Sequence, residues 1–196
     1  MCGWRCLPVL ACAAALLAAG CEAAPPKEAQ GRDIQRPAFG FALDVPQGWA
    51  VRDLSGDVVL ELYPSATPAH AGDKPAGAKP AAETRAITRL RPVIQVVVVD
   101  REDMTLAAWA NDAIRESQDL QSDLEVVSRT PARLADGREA LLVVLKNPRG
   151  MEPFVQRLLL AMTGSRAYAL MLTTPEPDAA AIDGAAKKCF DSFVVW

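Results

Sequence analysis

Two residues have the side chains that nucleophilic catalysis uses. Cys189 is the one cysteine after residue 21, and His70 is the only histidine in the chain. A serine or cysteine nucleophile usually needs a histidine positioned beside it. His70 lies in a segment of Ala, Pro and Gly without an apolar pattern, whereas Cys189 lies on the apolar stripe of an expected helix, which favours a buried, unreactive thiol. We therefore assign no catalytic residue.

Charged side chains form two further clusters. Asp100, Glu102 and Asp103 precede an expected helix and could bind a hard cation or do acid–base chemistry. We favour a solvated turn whose negative charge stabilises the helix N-terminus. Three arginines precede the third strand, and we expect them on an exposed face because no glycine-rich phosphate loop accompanies them: Arg85, Arg89 and Arg91. Zinc needs a cluster of His and Cys, which the sequence lacks, so no metal or cofactor is predicted.

Cys21 ends the run Leu16-Leu17-Ala18-Ala19-Gly20-Cys21. The apolar stretch before it, residues 7–19, is shorter than the ~20 residues that span a bilayer and fits the core of a secretory signal. Small residues directly before a cysteine are typical of bacterial lipoprotein signals, although Ala18 stands where Leu is most common. We predict that residues 1–20 are removed and that Cys21 is acylated and anchors the chain to a membrane. Secretion without lipid and an uncleaved anchor are the alternatives.

Composition divides the remaining chain into a tether and one domain. Residues 21–37 are polar and rich in Ala and Pro, which predicts a disordered tether with a span of roughly 20 Å. Residues 38–196 predict a single domain, with a disordered Ala/Pro-rich insertion at about 64–84. The net charge is −3 and becomes about −4 without residues 1–20, and no basic patch is present. A nucleic-acid partner is therefore not expected.

Seven strands are predicted, from alternating apolar residues in the first segment, from β-branched density in the third and from turn signals between the later ones: residues 39–45, 58–63, 94–100, 124–134, 139–146, 154–162 and 166–174. Tight turns such as Asp136-Gly137 imply antiparallel neighbours. Thr105 is a candidate N-cap for a helix whose apolar stripe runs from Leu106 to Leu120. A second helix is expected to begin at Thr174-Pro175. The sequence predicts an α+β fold with a central antiparallel sheet of about 6–7 strands flanked by two main helices.

Several short motifs occur in one order along this pattern: Phe39-x-Phe41 before Pro46-x-Gly48-Trp49, then Thr105-Leu106, Asp136-Gly137-Arg138-Glu139-Ala140, Tyr168-Ala169-Leu170 and Phe190-Asp191-Ser192-Phe193. Over roughly residues 38–196 the chain resembles the PsbP-like domain of DcrB-type envelope lipoproteins and mycobacterial LpqN-type lipoproteins. The resemblance implies an α/β/α sandwich and a non-catalytic accessory, assembly or binding role. The insertion departs from the compact pattern of that family.

These observations together predict a lipid-anchored envelope protein whose domain binds a protein or apolar partner in an accessory, assembly or envelope-maintenance role. Two other functions stay open, a carrier of a lipid or apolar small molecule and an enzyme that uses carboxylates such as Asp100 and Asp103. Glu22 follows the acylated cysteine, and the Asp that retains lipoproteins at the inner membrane is absent there. We expect the outer membrane, facing the periplasm, with the inner membrane or secretion as alternatives.

Overall fold

The computed structural model describes residue 27 and residues 30–65, 90–149 and 152–196. Within these residues lie ten β-strands and two α-helices: β1 Ile34–Arg36, β2 Phe41–Leu43, β3 Trp49–Asp53, β4 Val58–Pro64, β5 Val93–Asp100, α1 Leu106–Leu120, β6 Glu125–Arg133, β7 Glu139–Asn147, β8 Phe154–Met162, β9 Arg166–Pro175, α2 Ala179–Ser192 and β10 Val194–Val195. Short 3-10 turns at Pro37–Phe39 and Glu176–Asp178 precede β2 and α2. None of the helices described is long and apolar enough to cross a membrane.

The strands form two antiparallel sheets. The main sheet has seven strands in the order β3-β4-β5-β9-β8-β7-β6, and the small sheet has three in the order β1-β2-β10. Tight turns connect β6 to β7 and β8 to β9, as antiparallel pairing of consecutive strands requires. The predicted antiparallel sheet is confirmed.

Both faces of the main sheet are apolar, and different elements pack on them. On β5, Ile94, Val96 and Val98 face one core, which also contains side chains of α2 and the small sheet. The alternate residues Val97 and Val99 face a second core, which α1 closes. The main sheet is thus sandwiched between α1 on one side and α2 with the small sheet on the other, which confirms the predicted α+β sandwich.

Helix α1 begins where the sequence predicts. The Thr105 side chain accepts a hydrogen bond from the Ala108 N–H at 3.2 Å, which satisfies one of the free amides of the first turn. Trp109 is buried, and its indole N–H donates to the Tyr168 carbonyl of β9 at 3.1 Å. The predicted stripe is wrong at its end, because Leu120 is 85% exposed.

The prediction that the last helix begins at Thr174-Pro175 is wrong. These two residues are the end of β9, where they pair with Val155 and Phe154 of β8, and α2 begins only at Ala179. Thr174 is buried and its hydroxyl donates to the Pro175 carbonyl. Thr174 is therefore a strand residue paired with β8, and it does not cap α2.

The domain begins earlier than predicted. The predicted tether over residues 21–37 is too long, because Ile34–Arg36 form β1 and Ile34 pairs with Leu43 of β2. The predicted strand over 39–45 is interrupted, because residues up to Phe39 form a 3-10 turn that ends at Gly40 with φ +71°. The short strands β3 and β10 were not predicted. They contain only five and two residues, too few for periodicity to reveal them.

The last residues of the sequence are fastened to the beginning of the domain. The Trp196 N–H donates to the Gly40 carbonyl at 2.9 Å, and the Tyr168 hydroxyl donates to the Phe39 carbonyl at 3.1 Å. The Asp44 N–H donates to the Ser192 hydroxyl at 2.8 Å. Residues near both ends of the domain therefore form one joint, in which the Gly40 backbone lies directly against Trp196.

Candidate functional site

Cys189 is the nucleophile candidate that the structure describes. It is fully buried on the inner side of α2, and burial, with the nearby Asp44 carboxylate adding to it, raises the pKa of the thiol to about 12. A thiol with such a pKa stays protonated and unreactive at neutral pH, as its place on the apolar stripe predicts. Cys21 and His70 lie outside the described residues, so acylation of Cys21 stays a prediction.

The carboxylate cluster after β5 is solvated. Asp100 is 88% exposed in its side chain and lies 3.4 Å from the Arg166 guanidinium, and Glu102 and Asp103 are also exposed. Asp103 has φ +58°, a left-handed conformation that Asp tolerates in turns. This agrees with the interpretation as a solvated turn. Residues 30–65, 90–149 and 152–196 contain no group of three or more His, Cys, Asp or Glu that could hold a metal ion.

The predicted arginine cluster lies mostly beyond the structure. Arg85 and Arg89 are outside the described residues, and Arg91 is half-buried just before β5. A cavity of about 390 Å³, open to solvent, lies on the other side of the molecule, between α2 and the end of β2. Its charged lining residues pair with one another: Arg32 with Asp44, and Lys187 with Asp191. This mixed-charge lining does not suit an apolar ligand.

Helix α1 covers only part of its face of the main sheet, because it packs mainly on β7 and β8. The register identifies the side chains that share this face farther along the sheet: Gln95 pairs with Met171, Glu61 with Gln95, and Arg52 with Glu61. Met171 packs against the core beneath α1, so its cross-strand partners point to the same side. We call this area the open sheet face, formed by Arg52, Glu61, Tyr63, Gln95, Gln156 and Thr173.

An ordered hydrogen-bond network runs along the outer strands of the open sheet face. The Arg52 guanidinium lies 2.6 Å from one oxygen of Glu61, and the Gln95 amide donates to the other oxygen at 3.2 Å. The Glu61 side chain is only 13% exposed. A carboxylate this close to burial needs both partners to offset its desolvation. The network therefore holds three polar side chains in fixed positions on the sheet.

Gln156 extends this polar row across β8. Its amide nitrogen donates to the Thr173 hydroxyl at 3.2 Å and to the Met171 sulfur at 2.9 Å. Its amide oxygen is buried and finds no hydrogen-bond partner in the part of the chain that the structure describes. Buried polar atoms are nearly always hydrogen-bonded, so this oxygen is an unsatisfied acceptor that has no surface open to solvent.

Sequence reasoning missed the open sheet face. The sequence indicates this face only by single polar residues within otherwise apolar strands. These are Glu61 within VVLELYP and Gln95 within VIQVVVVD. Such residues are ordinary on a solvated strand, and only the register shows that they lie side by side. The arrangement offers a set of hydrogen-bond donors and acceptors held in fixed positions on the sheet.

No family model matches the chain, and no curated protein matches it. The solved structures that share its fold include two with a TM-score above 0.5. The cyanobacterial PsbP (CyanoP) of Synechocystis sp. PCC 6803 is 13% identical, with a TM-score of 0.55 over 83% of this chain and 91% of that one. LpqN of Mycobacterium tuberculosis, described as involved in cell envelope biogenesis, is 15% identical, with a TM-score of 0.55 over 79% of this chain and 82% of that one. At these identities the likeness shows the fold alone, and the predicted PsbP-like fold is confirmed.

Proposed function

We propose that this chain, whose domain has a PsbP-like fold, is an envelope lipoprotein that works by binding a protein partner through the open sheet face. The role is accessory, in assembly or maintenance of the envelope. The observation that carries the proposal is the row of fixed polar side chains on a sheet face that α1 leaves uncovered. The likeness to LpqN, a protein of envelope biogenesis, supports the same class of function.

The burial of the polar row favours binding over simple solvation. On a plain solvated face the charged side chains extend into water, whereas Glu61 is nearly buried and bonded to two neighbours. Gln156 lies on the same face and is held by Thr173 and Met171. Side chains that are already held in place lose little conformational entropy on binding.

The anchor places this face near a membrane. Acyl chains bury about 0.8 kcal/mol per CH₂, and two chains suffice for stable attachment, so an acylated Cys21 would hold the protein permanently. The domain begins at β1, so the segment after Cys21 is short and keeps the domain close to the lipid. Glu22 after the acylated cysteine favours the outer membrane, with the domain in the periplasm.

The anchor is tested by Cys21→Ala. We expect the wild-type chain and a Cys12→Ala control, which changes a cysteine inside the signal, to fractionate with membranes and to incorporate labelled palmitate. We expect Cys21→Ala to lose the label and to appear in the soluble fraction. A Cys21→Ala chain that stays membrane-bound would show that the anchoring part of the proposal is wrong.

The binding face is tested by a photo-crosslinking residue at Gln95, with the same residue at Arg115 on the outer side of α1 as control. We expect a discrete protein adduct in cells from position 95 alone, and a reduction of at least about tenfold (about 1.4 kcal/mol) when Glu61→Lys is added. Thermal melting of each variant checks that the fold is intact. Equal adducts from both positions, or none from position 95, would refute binding through this face.

A further inference from the structure

Among the described residues the main sheet ends at β3 on one side and at β6 on the other, and β6 is closed to a further strand. The Leu134 N–H donates to the Arg138 carbonyl at 3.0 Å, and the register continues unchanged from there to Ser128. In this register the odd-numbered residues Arg129, Pro131 and Arg133 direct their backbone groups away from β7. Pro131 has no N–H to give, and the strand is bulged between Val126 and Ser128. Proline and bulges on an edge are features that prevent strand addition.

The β3 edge lacks these features. The Ser65 N–H donates to the Gly48 carbonyl at 2.8 Å, and the Leu54 N–H donates to the Val59 carbonyl at 3.1 Å. Both bonds fit one register, in which Ala50 and Arg52 bond to β4 and the residues between them direct their backbone groups outward. Val51 is at the centre of this outward set, and its side chain, 38% exposed, is an apolar group on the rim. The strand contains no proline and no bulge.

We infer that the β3 edge pairs with the β3 edge of a second copy of this chain, antiparallel and with the two-fold axis at Val51. Val51 would exchange two backbone hydrogen bonds with Val51 of the second copy. The Asp53 N–H of each copy would donate to the Trp49 carbonyl of the other, which adds two more bonds. The Trp49 N–H does not take part, because it already donates to the Pro46 carbonyl of its own chain. The ladder therefore has four hydrogen bonds.

The side chains of β3 are compatible with this two-fold pairing. Arg52 would lie opposite Ala50 and Asp53 opposite Trp49, so no like charges face each other, and the exposed valines meet at the axis. The same operation on β6 would place Pro131 against Pro131 and Arg129 against Arg133, and like charges directly opposite destabilise a sheet. Charge and backbone chemistry thus select β3 as the edge that self-associates.

The pairing extends the main sheet without a break across two copies. An axis perpendicular to the sheet keeps both open sheet faces on the same side, where they form one surface. Four hydrogen bonds and a few side chains bury less than the ~800 Å² per partner of a standard interface. The association is consequently weak in solution, and two lipid-anchored copies in one membrane would favour it by raising their local concentration.

Light scattering on the purified full-length chain in detergent tests this, with the protein mass resolved from the detergent mass. Over about 10 µM to about 1 mM, the range in which a weak interface dissociates, we expect the wild-type mass to rise from one copy toward two. Val51→Lys is expected to stay at one copy. Val127→Lys, which alters a more exposed valine on β6 (60% exposed), is expected to behave as wild type. A wild-type chain that stays monomeric to about 1 mM, or equal effects of the two lysines, overturns the inference.

A cysteine at the axis gives a second test, which traps a weak association covalently and does not depend on the folding of Val51→Lys. Directly opposite Cα atoms of a hydrogen-bonded antiparallel pair are about 5.5 Å apart, within the range of a disulfide. We expect mild oxidation to give a disulfide-linked dimer from Val51→Cys and none from Val127→Cys or the wild type. The absence of a Val51→Cys dimer would also overturn the inference, whereas the partner-binding proposal would stand, since its crosslinks arise from Gln95.

Discussion

Replacing Gly40 by alanine tests the joint between the two ends of the domain. Gly40 has φ +71° and ends the 3-10 turn before β2. A Cβ at this position would lie 2.4 Å from the Trp196 carbonyl oxygen and 2.9 Å from the Tyr168 hydroxyl. The nearer atom belongs to the backbone of the segment that follows β10, so it can yield only if that segment moves.

Two contributions make up the expected loss in the free energy of unfolding of Gly40→Ala. A left-handed backbone costs a residue other than glycine roughly 1–2 kcal/mol, and overpacking a fixed site costs roughly 1–3 kcal/mol. Gly40→Ala should therefore lower the free energy of unfolding by about 2–5 kcal/mol, a large part of the 5–15 kcal/mol typical of a domain. The corresponding fall in Tm for a domain of this size is roughly 5–20 °C.

Gly48→Ala is the matched control. Gly48 has φ +76° in the turn before β3, and nothing lies within 4 Å of its Cβ position, so alanine there meets the conformational penalty without the overlap. Urea unfolding followed by far-UV circular dichroism should separate the two variants by at least about 1 kcal/mol. If the two alanines destabilise the protein equally, the close approach to Trp196 contributes nothing and the reasoning is wrong.

Three further predictions concern Cys189, the N-cap of α1 and the Trp109 hydrogen bond. The pKa of the Cys189 thiol is about 12 in the folded protein and near its ordinary value of 9.0 in the unfolded chain. The free energy of unfolding is therefore unaffected by this group below pH 9 and falls by up to about 1.4 kcal/mol per pH unit as the pH rises toward 12. Urea unfolding of Cys189→Ala should show a shallower decline with pH than the wild type, and identical slopes would contradict this. Thr105→Ala should destabilise α1 by about 1 kcal/mol while Thr105→Ser retains the cap, and equal losses in chemical denaturation would argue against the capping bond. Trp109→Phe should cost about 1–3 kcal/mol because it leaves the Tyr168 carbonyl without its indole donor, and a thermal melt unchanged from the wild type would count against that bond.

The strands and the helix that the sequence predicts correctly can be recognised from their own residues. The apolar run of β5 and the hairpin at Asp136-Gly137 need only neighbouring residues to be recognised. The apolar stripe of α1 begins directly after Thr105, so neighbouring residues are enough to predict where this helix starts. These elements fix the fold class because period and turn chemistry act over a few residues.

The remaining elements depend on pairing with another strand, which their own residues do not indicate. Ile34 looks like part of a polar tether until Leu43 pairs with it, and Thr174 looks like a helix cap until β8 draws it into the sheet. The open sheet face is hidden for the same reason, since Glu61 and Gln95 come from strands separated by the insertion. A pattern read along one segment cannot show which strand lies beside it.

The joint between the two ends also sets the order in which the chain can finish folding. The Asp44 amide and the Ser192 hydroxyl that bonds it are 148 positions apart, and contacts this distant form late because loop closure must precede them. We propose that the chain crosses a membrane N-terminus first. In that case β2 emerges early and cannot pair with β10 until nearly the whole chain has crossed. Lipid attachment could then be completed while the domain is still open, and only full-length chains would close it.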